Sequence, residues 1–175
     1  DYTGGAVHIG RDVIDCEFVE NKAVGNGGAI SHNASWFNYF NLDGCTFIGS
    51  SNYTNTRGII FGEGVQVATN NTIVSVTNSS FINWKRGLTD NENAKDAKEV
   101  TVTGNTFTNA SAYMSAHDSI VFTGNTMTNA AANFRTYTNA TDATVVATGN
   151  TLDITNPSNV IRGFVAANVE CQEGF

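Results

Sequence analysis

Residues 100–110 read VTVTGNTFTNA, residues 120–130 read IVFTGNTMTNA, and residues 145–155 read VVATGNTLDIT. Each copy of Thr-Gly-Asn-Thr is followed by one apolar residue, so Phe107, Met127 and Leu152 serve as anchors that align the three copies. The same frame accepts VTNSSFINW with Phe81, LDGCTFIGS with Phe47 and VIDCEFVEN with Phe18. Successive anchors are 29, 34, 26, 20 and 25 residues apart. A recurring unit of this size belongs to solenoids and other repeat architectures, whose single units cannot bury their own apolar face.

Inside each unit the pattern has period 2, which is the signature of a strand. In residues 100–108, Val100, Val102 and Phe107 point one way, and Thr101, Thr103, Thr106 and Thr108 point the other. The Gly-Asn pair breaks the alternation as a corner would. Each unit therefore reads as strand, sharp bend, strand and variable loop. A hairpin sheet competes with this reading, but it needs two-residue turns between neighbouring runs. Here the same short strand returns in the same polarity after a long excursion. The expectation is a single all-β domain over residues 1–175, a right-handed parallel β-helix of about six or seven coils. Phe18, Phe47, Phe81, Phe107, Met127 and Leu152 are expected to form an interior apolar ladder at roughly 4.8 Å spacing. Asn105, Asn125 and Asn150 are expected to form a corner ladder in which amides donate to one another along the axis.

Composition agrees with strands. The 175 residues are 14% charged, carry one proline and have a net charge of −7. An acidic chain lacks the basic footprint that nucleic acid requires, and no apolar run approaches the length of a membrane-spanning helix. The chain starts at Asp1 with no signal-peptide pattern, as a processed chain would. Asn33, Asn52, Asn70, Asn78, Asn109 and Asn139 fit the N-glycosylation pattern Asn-x-Ser/Thr. Composition alone generates several such sites; the other reading is a secreted, glycosylated protein.

Near the N-terminus stand GGAV (Gly4 to Val7), FVEN (Phe18 to Asn21) and GGAI (Gly27 to Ile30). This alternation resembles the GGA[IV]/FxxN repeats of chlamydial polymorphic membrane proteins and of adhesin-like β-helix proteins on bacterial and methanogen surfaces. The likeness covers about the first 50 residues; the later TGNT units resemble more generic right-handed β-helix repeats. What it implies is a cell-surface or extracellular protein, with structural subunits of archaeal sheaths or surface layers among the relatives. The 175 residues hold no large barrel, and the expectation is that an autotransporter route does not apply.

Cys16 and Cys45 stand two residues before their anchors, in the column that asparagine fills later. Aligning VEC on VIDC brings Cys171 into that same column. Three cysteines leave one without an internal partner, which suggests intermolecular pairing or a free thiol; the alternative is three small buried apolar side chains. Neither end shows a cap, and uncapped solenoid ends invite head-to-tail stacking into a ring or filament. The expectation is that Cys171 of one copy approaches Cys16 or Cys45 of the next.

Signs of catalysis are weak. Acids cluster at Asp12, Asp15, Glu17 and Glu20, and again at Asp90, Glu92, Asp96 and Glu99 within LTDNENAKDAKE. The second cluster interleaves Lys95 and Lys98 and reads as a solvated loop or short helix; the first is a candidate calcium edge without a loop-lining pattern. His8, His32 and His117 are scattered; His117-Asp118 is a candidate acid/base couple, and a loop histidine is the favoured reading. No cofactor or metal is expected, and no enzyme. Trp36, Phe37, Tyr39 and Phe40 in SWFNYFN are candidates for stacking on a glycan or burying against a partner; the equal alternative is core, or a loop folded over the stack. The threonine columns 77/103/123/148 and 106/126/151 resemble flat ice-binding arrays, but any exposed β-face favours threonine. The reading is an extracellular structural protein that self-assembles head to tail, with a carbohydrate-binding adhesin and a polysaccharide lyase or hydrolase as alternatives.

Overall fold

The computed structural model describes residues 6–8, 11–21, 28–32, 38–49, 57–61, 72–90, 97–136, 143–153, 161–164 and 169–171. The chain is all-β, with no helix among these residues, and its parallel sheet curls into a half-barrel. The strands are β1 (Val7–His8), β2 (Asp12–Ile14), β3 (Glu17–Val19), β4 (Ile30–Ser31), β5 (Tyr39–Asp43) and β6 (Thr46–Ile48). They continue with β7 (Arg57–Phe61), β8 (Ile73–Thr77), β9 (Ser80–Asp90), β10 (Ala97–Thr103), β11 (Thr106–Thr123) and β12 (Thr126–Thr128). The last are β13 (Ala132–Thr136), β14 (Thr144–Thr148), β15 (Thr151–Leu152), β16 (Ile161–Phe164) and β17 (Val169–Cys171).

Three in-register series account for the pairing, all of it parallel. The first series runs β2–β5–β8–β10–β11–β14–β17 and aligns Val13, Leu42, Val76, Val102, Phe122, Ala147 and Cys171. The second runs β3–β6–β9–β11–β12–β15 and aligns Phe18, Phe47, Phe81, Phe107, Met127 and Leu152. These are the six anchors, in the expected order. The third runs β1–β4–β7–β9–β11–β13–β16, with Ile30, Ile59, Leu88, Ala112, Ala132 and Ile161 opposite one another. It occupies what the sequence pattern leaves as the variable part of each unit. Long strands such as β9 and β11 carry one series into the next without a break.

Burial follows the alternation. Val100, Val102 and Phe107 are buried while Thr101, Thr103, Thr106 and Thr108 are half-buried. The anchor rings lie almost flat on one another: Phe18 on Phe47 at 4.7 Å, Phe47 on Phe81 at 5.1 Å and Phe81 on Phe107 at 4.9 Å, with interplanar angles of 2°, 6° and 7°. The strand spacing imposes this face-to-face stack, since in-register rings cannot slide to the offset geometry that aromatic pairs prefer. Met127 is buried beneath Phe107, and Leu152 packs against the same core.

The corner between the first and second series is set by backbone conformation. Asp15, Gly44, Asn78, Gly104, Gly124 and Gly149 occupy equivalent positions, and all six have φ between 49° and 69°. Glycine, asparagine and aspartate tolerate this left-handed conformation best. A second left-handed position follows two residues after the anchor, at Glu20, Asn83, Asn109 and Asn129. Gly49 stands at this place in its rung without a positive φ; glycine fits there because a Cβ would collide with the Asn83 carbonyl oxygen and stand 2.8 Å from the Trp84 ring.

Candidate functional site

The most organised group of polar side chains is the column just after the left-handed corner: Cys16, Cys45, Ser79, Asn105, Asn125 and Asn150. Here the strand ladder is interrupted, and side chains complete it. The Cys16 N–H lies 3.4 Å from Cys45 Sγ. Cys45 N–H donates to Ser79 Oγ at 3.0 Å, and Ser79 N–H donates to Asn105 Oδ1 at 2.9 Å. Asn105 N–H donates to Asn125 Oδ1, and Asn125 N–H to Asn150 Oδ1, both at 2.9 Å.

The side-chain donors run back the other way. Asn105 Nδ2 reaches Val76 O at 2.9 Å, Asn125 Nδ2 reaches Val102 O at 3.0 Å, and Asn150 Nδ2 reaches Phe122 O at 2.8 Å. The amides also donate to one another, Asn105 to Asn125 at 3.1 Å and Asn125 to Asn150 at 3.0 Å. A buried corner that would otherwise orphan one N–H and one C=O per rung is thereby satisfied. The expected asparagine ladder is present, and Ser79 bridges it to the cysteines.

A second ladder escaped the sequence reading. Asn109 Nδ2 donates to Asn83 Oδ1 at 3.1 Å, and Asn129 Nδ2 to Asn109 Oδ1 at 2.6 Å. Its signal lay in FIN, FTN and MTN, an asparagine two residues after each anchor. Outside the first corner runs the threonine column in its expected register, with Thr103 and Thr123 hydroxyls 3.1 Å apart. At its acidic end, Asp43 Oδ1 accepts from Thr77 Oγ1 at 2.7 Å and Asn78 Nδ2 at 2.9 Å. These two donors hold the Asp43 carboxyl below its ordinary value, with the Gly44 N–H assisting and desolvation opposing.

Cys171 is not in the corner column. It pairs with Ala147, three residues before the corner position held by Asn150. The match of VEC to VIDC followed one shared letter, whereas the strand register pairs Val169 with Val145 and Cys171 with Ala147. Cys16 is exposed and Cys45 buried, and both are free thiols.

The remaining candidates are dispersed. His32 is fully buried, 5.1 Å from the Phe40 ring. His117 and Asp118 lie on β11 rather than in a loop, with Lys98 Nζ 4.0 Å from Asp118 and 3.4 Å from Glu99. The stretch read as a loop or short helix is strand at both ends, Asp90 closing β9 and Ala97–Glu99 opening β10; Glu92, Lys95 and Asp96 lie outside the described residues. Asp12 and Glu17 sit on separate strands with Asp15 at the corner, and no group of three or more His, Cys, Asp or Glu fit to hold a metal occurs among the described residues.

Of the aromatic quartet, Phe40 is core at 1% exposure. Tyr39 donates to Asp12 Oδ2 at 3.0 Å and lies under the Arg11 guanidinium at 4.2 Å. Trp36 and Phe37 lie outside the described residues, as do Asn33, Asn52, Asn70 and Asn139. Asn78 and Asn109 are exposed but already hydrogen-bonded. No helix among the described residues is long and apolar enough to cross a membrane. No protein-family model, curated protein or solved structure matches the chain.

Proposed function

We propose that the three strand series close into a right-handed parallel β-helix of about six or seven coils, and that the protein is an extracellular structural subunit. Copies stack end to end through open β-helix edges into a cell-surface sheath, layer or fibre. The observation that carries this reading is the asymmetry of the first rung. Among the described residues, β2 pairs only with β5 and β3 only with β6. Val13 and Phe18 are each 7% exposed, whereas Leu42 and Phe47 directly beneath them are at 0%. An unpaired parallel edge with a flat aromatic face offers both hydrogen bonds and apolar area to an equivalent rung of another copy. The corner column favours the same association, because each rung's N–H is completed by a side chain of the following rung.

Electron microscopy and sedimentation of the purified chain test the proposal. Rods, tubes or sheets with an axial repeat of whole molecules are the expected result. Dispersed monomers at high protein concentration overturn it.

A further inference from the structure

We propose that Cys16 and Cys45 are an oxidation site, forming a reversible cross-rung disulfide within one chain. The two residues lie directly opposite each other, bracketed by the register pairs Ile14↔Asp43 and Glu17↔Thr46. In-register strands bring their Cα atoms to about 4.8 Å, inside the roughly 4.4–6.8 Å range a disulfide spans. Both thiols adopt the same orientation. Cys16 Sγ donates to Ile14 O at 3.2 Å, and Cys45 Sγ donates to Asp43 O at 3.3 Å, in each case two residues upstream. Cys45 Sγ also leans onto the rung above, 3.5 Å from Val13 O and 3.4 Å from Cys16 N.

Hydrogen bonding alone does not call for sulfur here. Ser79 and Asn105 fill the next two positions of the same column and make shorter bonds, and a thiol is a weak donor and acceptor. What two thiols on consecutive edge rungs add is an oxidisable couple.

The oxidant is a low-molecular-weight disulfide. The exposed Cys16 thiolate attacks one of its sulfurs, forming a mixed disulfide and expelling one thiolate. Burial pushes the Cys45 thiol up, and the exposed Cys16 is the thiol the oxidant reaches first. Cys45 then loses its proton, attacks the Cys16 sulfur and expels the second thiolate. Two protein thiols lose two protons and two electrons, and the small disulfide gains them as two thiols. The bond draws Cβ atoms together to about 3.8 Å and removes both S–H donors. Because Cys16 is exposed, a reducing thiol can reach the cross-link and reopen it. It forms within one chain and does not depend on assembly.

The test treats the folded chain with oxidised glutathione, alkylates the remaining thiols after unfolding, and maps non-reduced peptides. The expected product joins Cys16 to Cys45 with Cys171 alkylated, forming at least about tenfold faster in the folded chain than in guanidinium, where the two thiols meet only at the effective concentration of a flexible loop. Cys171→Ser leaves the product unchanged, and Cys45→Ser arrests the reaction with glutathione held on Cys16. A stable glutathione adduct on wild-type Cys16, a bond to Cys171, unreacted Cys16 and Cys45, or closure no faster than in guanidinium each overturn the proposal.

Discussion

Asn125 carries the sharpest prediction. It is 1% exposed, and its side chain takes part in four bonds: Oδ1 accepts from the Asn105 N–H at 2.9 Å and Asn105 Nδ2 at 3.1 Å, while Nδ2 donates to Val102 O at 3.0 Å and Asn150 Oδ1 at 3.0 Å. In Asn125→Ala, Asn105 Nδ2 keeps Val76 O and Thr103 O, and Asn150 Oδ1 keeps the Asn125 N–H. The Asn105 N–H and the side-chain bond to Val102 O have no replacement. Each unsatisfied buried group costs about 1–3 kcal/mol, so the variant should lose roughly 2–6 kcal/mol. Most of that span lies above the usual point-mutation range of about 0.5–3 kcal/mol. The column supplies its own control: the Ser79 hydroxyl accepts from Cys45 N–H as Asn125 Oδ1 accepts from Asn105 N–H, but it donates to Thr77 O of its own rung at 2.7 Å instead of to the preceding rung. Asn125→Ser should therefore recover about half of the loss. Urea unfolding followed by far-ultraviolet circular dichroism measures both. A loss below about 1 kcal/mol in the alanine variant, or a serine variant no better than alanine, would refute the claim that the ladder supports the corner.

Three further outcomes follow from the packing. Phe81, with rings on both sides at 5.1 and 4.9 Å and no exposure, should cost about 3–5 kcal/mol as alanine and distinctly less as leucine, by the same denaturant titration. Gly124 has φ +63° with no crowding at its Cβ site, so Gly124→Ala should cost about 1–2 kcal/mol from backbone conformation alone; Gly124→Asn should cost less, since Asn78 holds the equivalent position at φ 49°. Asp43 has a lowered folded pKa, so its contribution is present above its unfolded value near pH 4 and is lost as pH falls through the folded value. Thermal melts from neutral to acid pH should therefore fall less steeply for Asp43→Asn than for the wild type.

The parts of the fold legible in the sequence were those where one geometric requirement recurs in every rung. A left-handed corner needs Gly, Asn or Asp, the next residue must satisfy a buried N–H, and the anchor must fill the core; TGNT followed by Phe, Met or Leu states all three. The third strand series was not legible, because its inward residues range from Ala112 and Ala132 to Leu88 and share no motif. Its apolar demand is met by whatever volume the neighbouring rungs leave. The outer Asn83–Asn109–Asn129 ladder was written plainly but lay hidden in an Asn- and Thr-rich background. Cys171 was misplaced because one shared letter outweighed the strand register, which pairs it with Ala147.

The corner column also grades the molecule along its length. Its bridging groups change from thiols at Cys16 and Cys45, through the hydroxyl of Ser79, to the amides of Asn105, Asn125 and Asn150. Sulfur bonds weakly, a hydroxyl makes one strong link, and an amide makes two or more at once. Because a repeat stack opens by rungs rather than all at once, the rungs should fray in that order. Amide hydrogens at the thiol end exchange with solvent first, while the asparagine rungs remain closed as the clamp from which the stack re-zips.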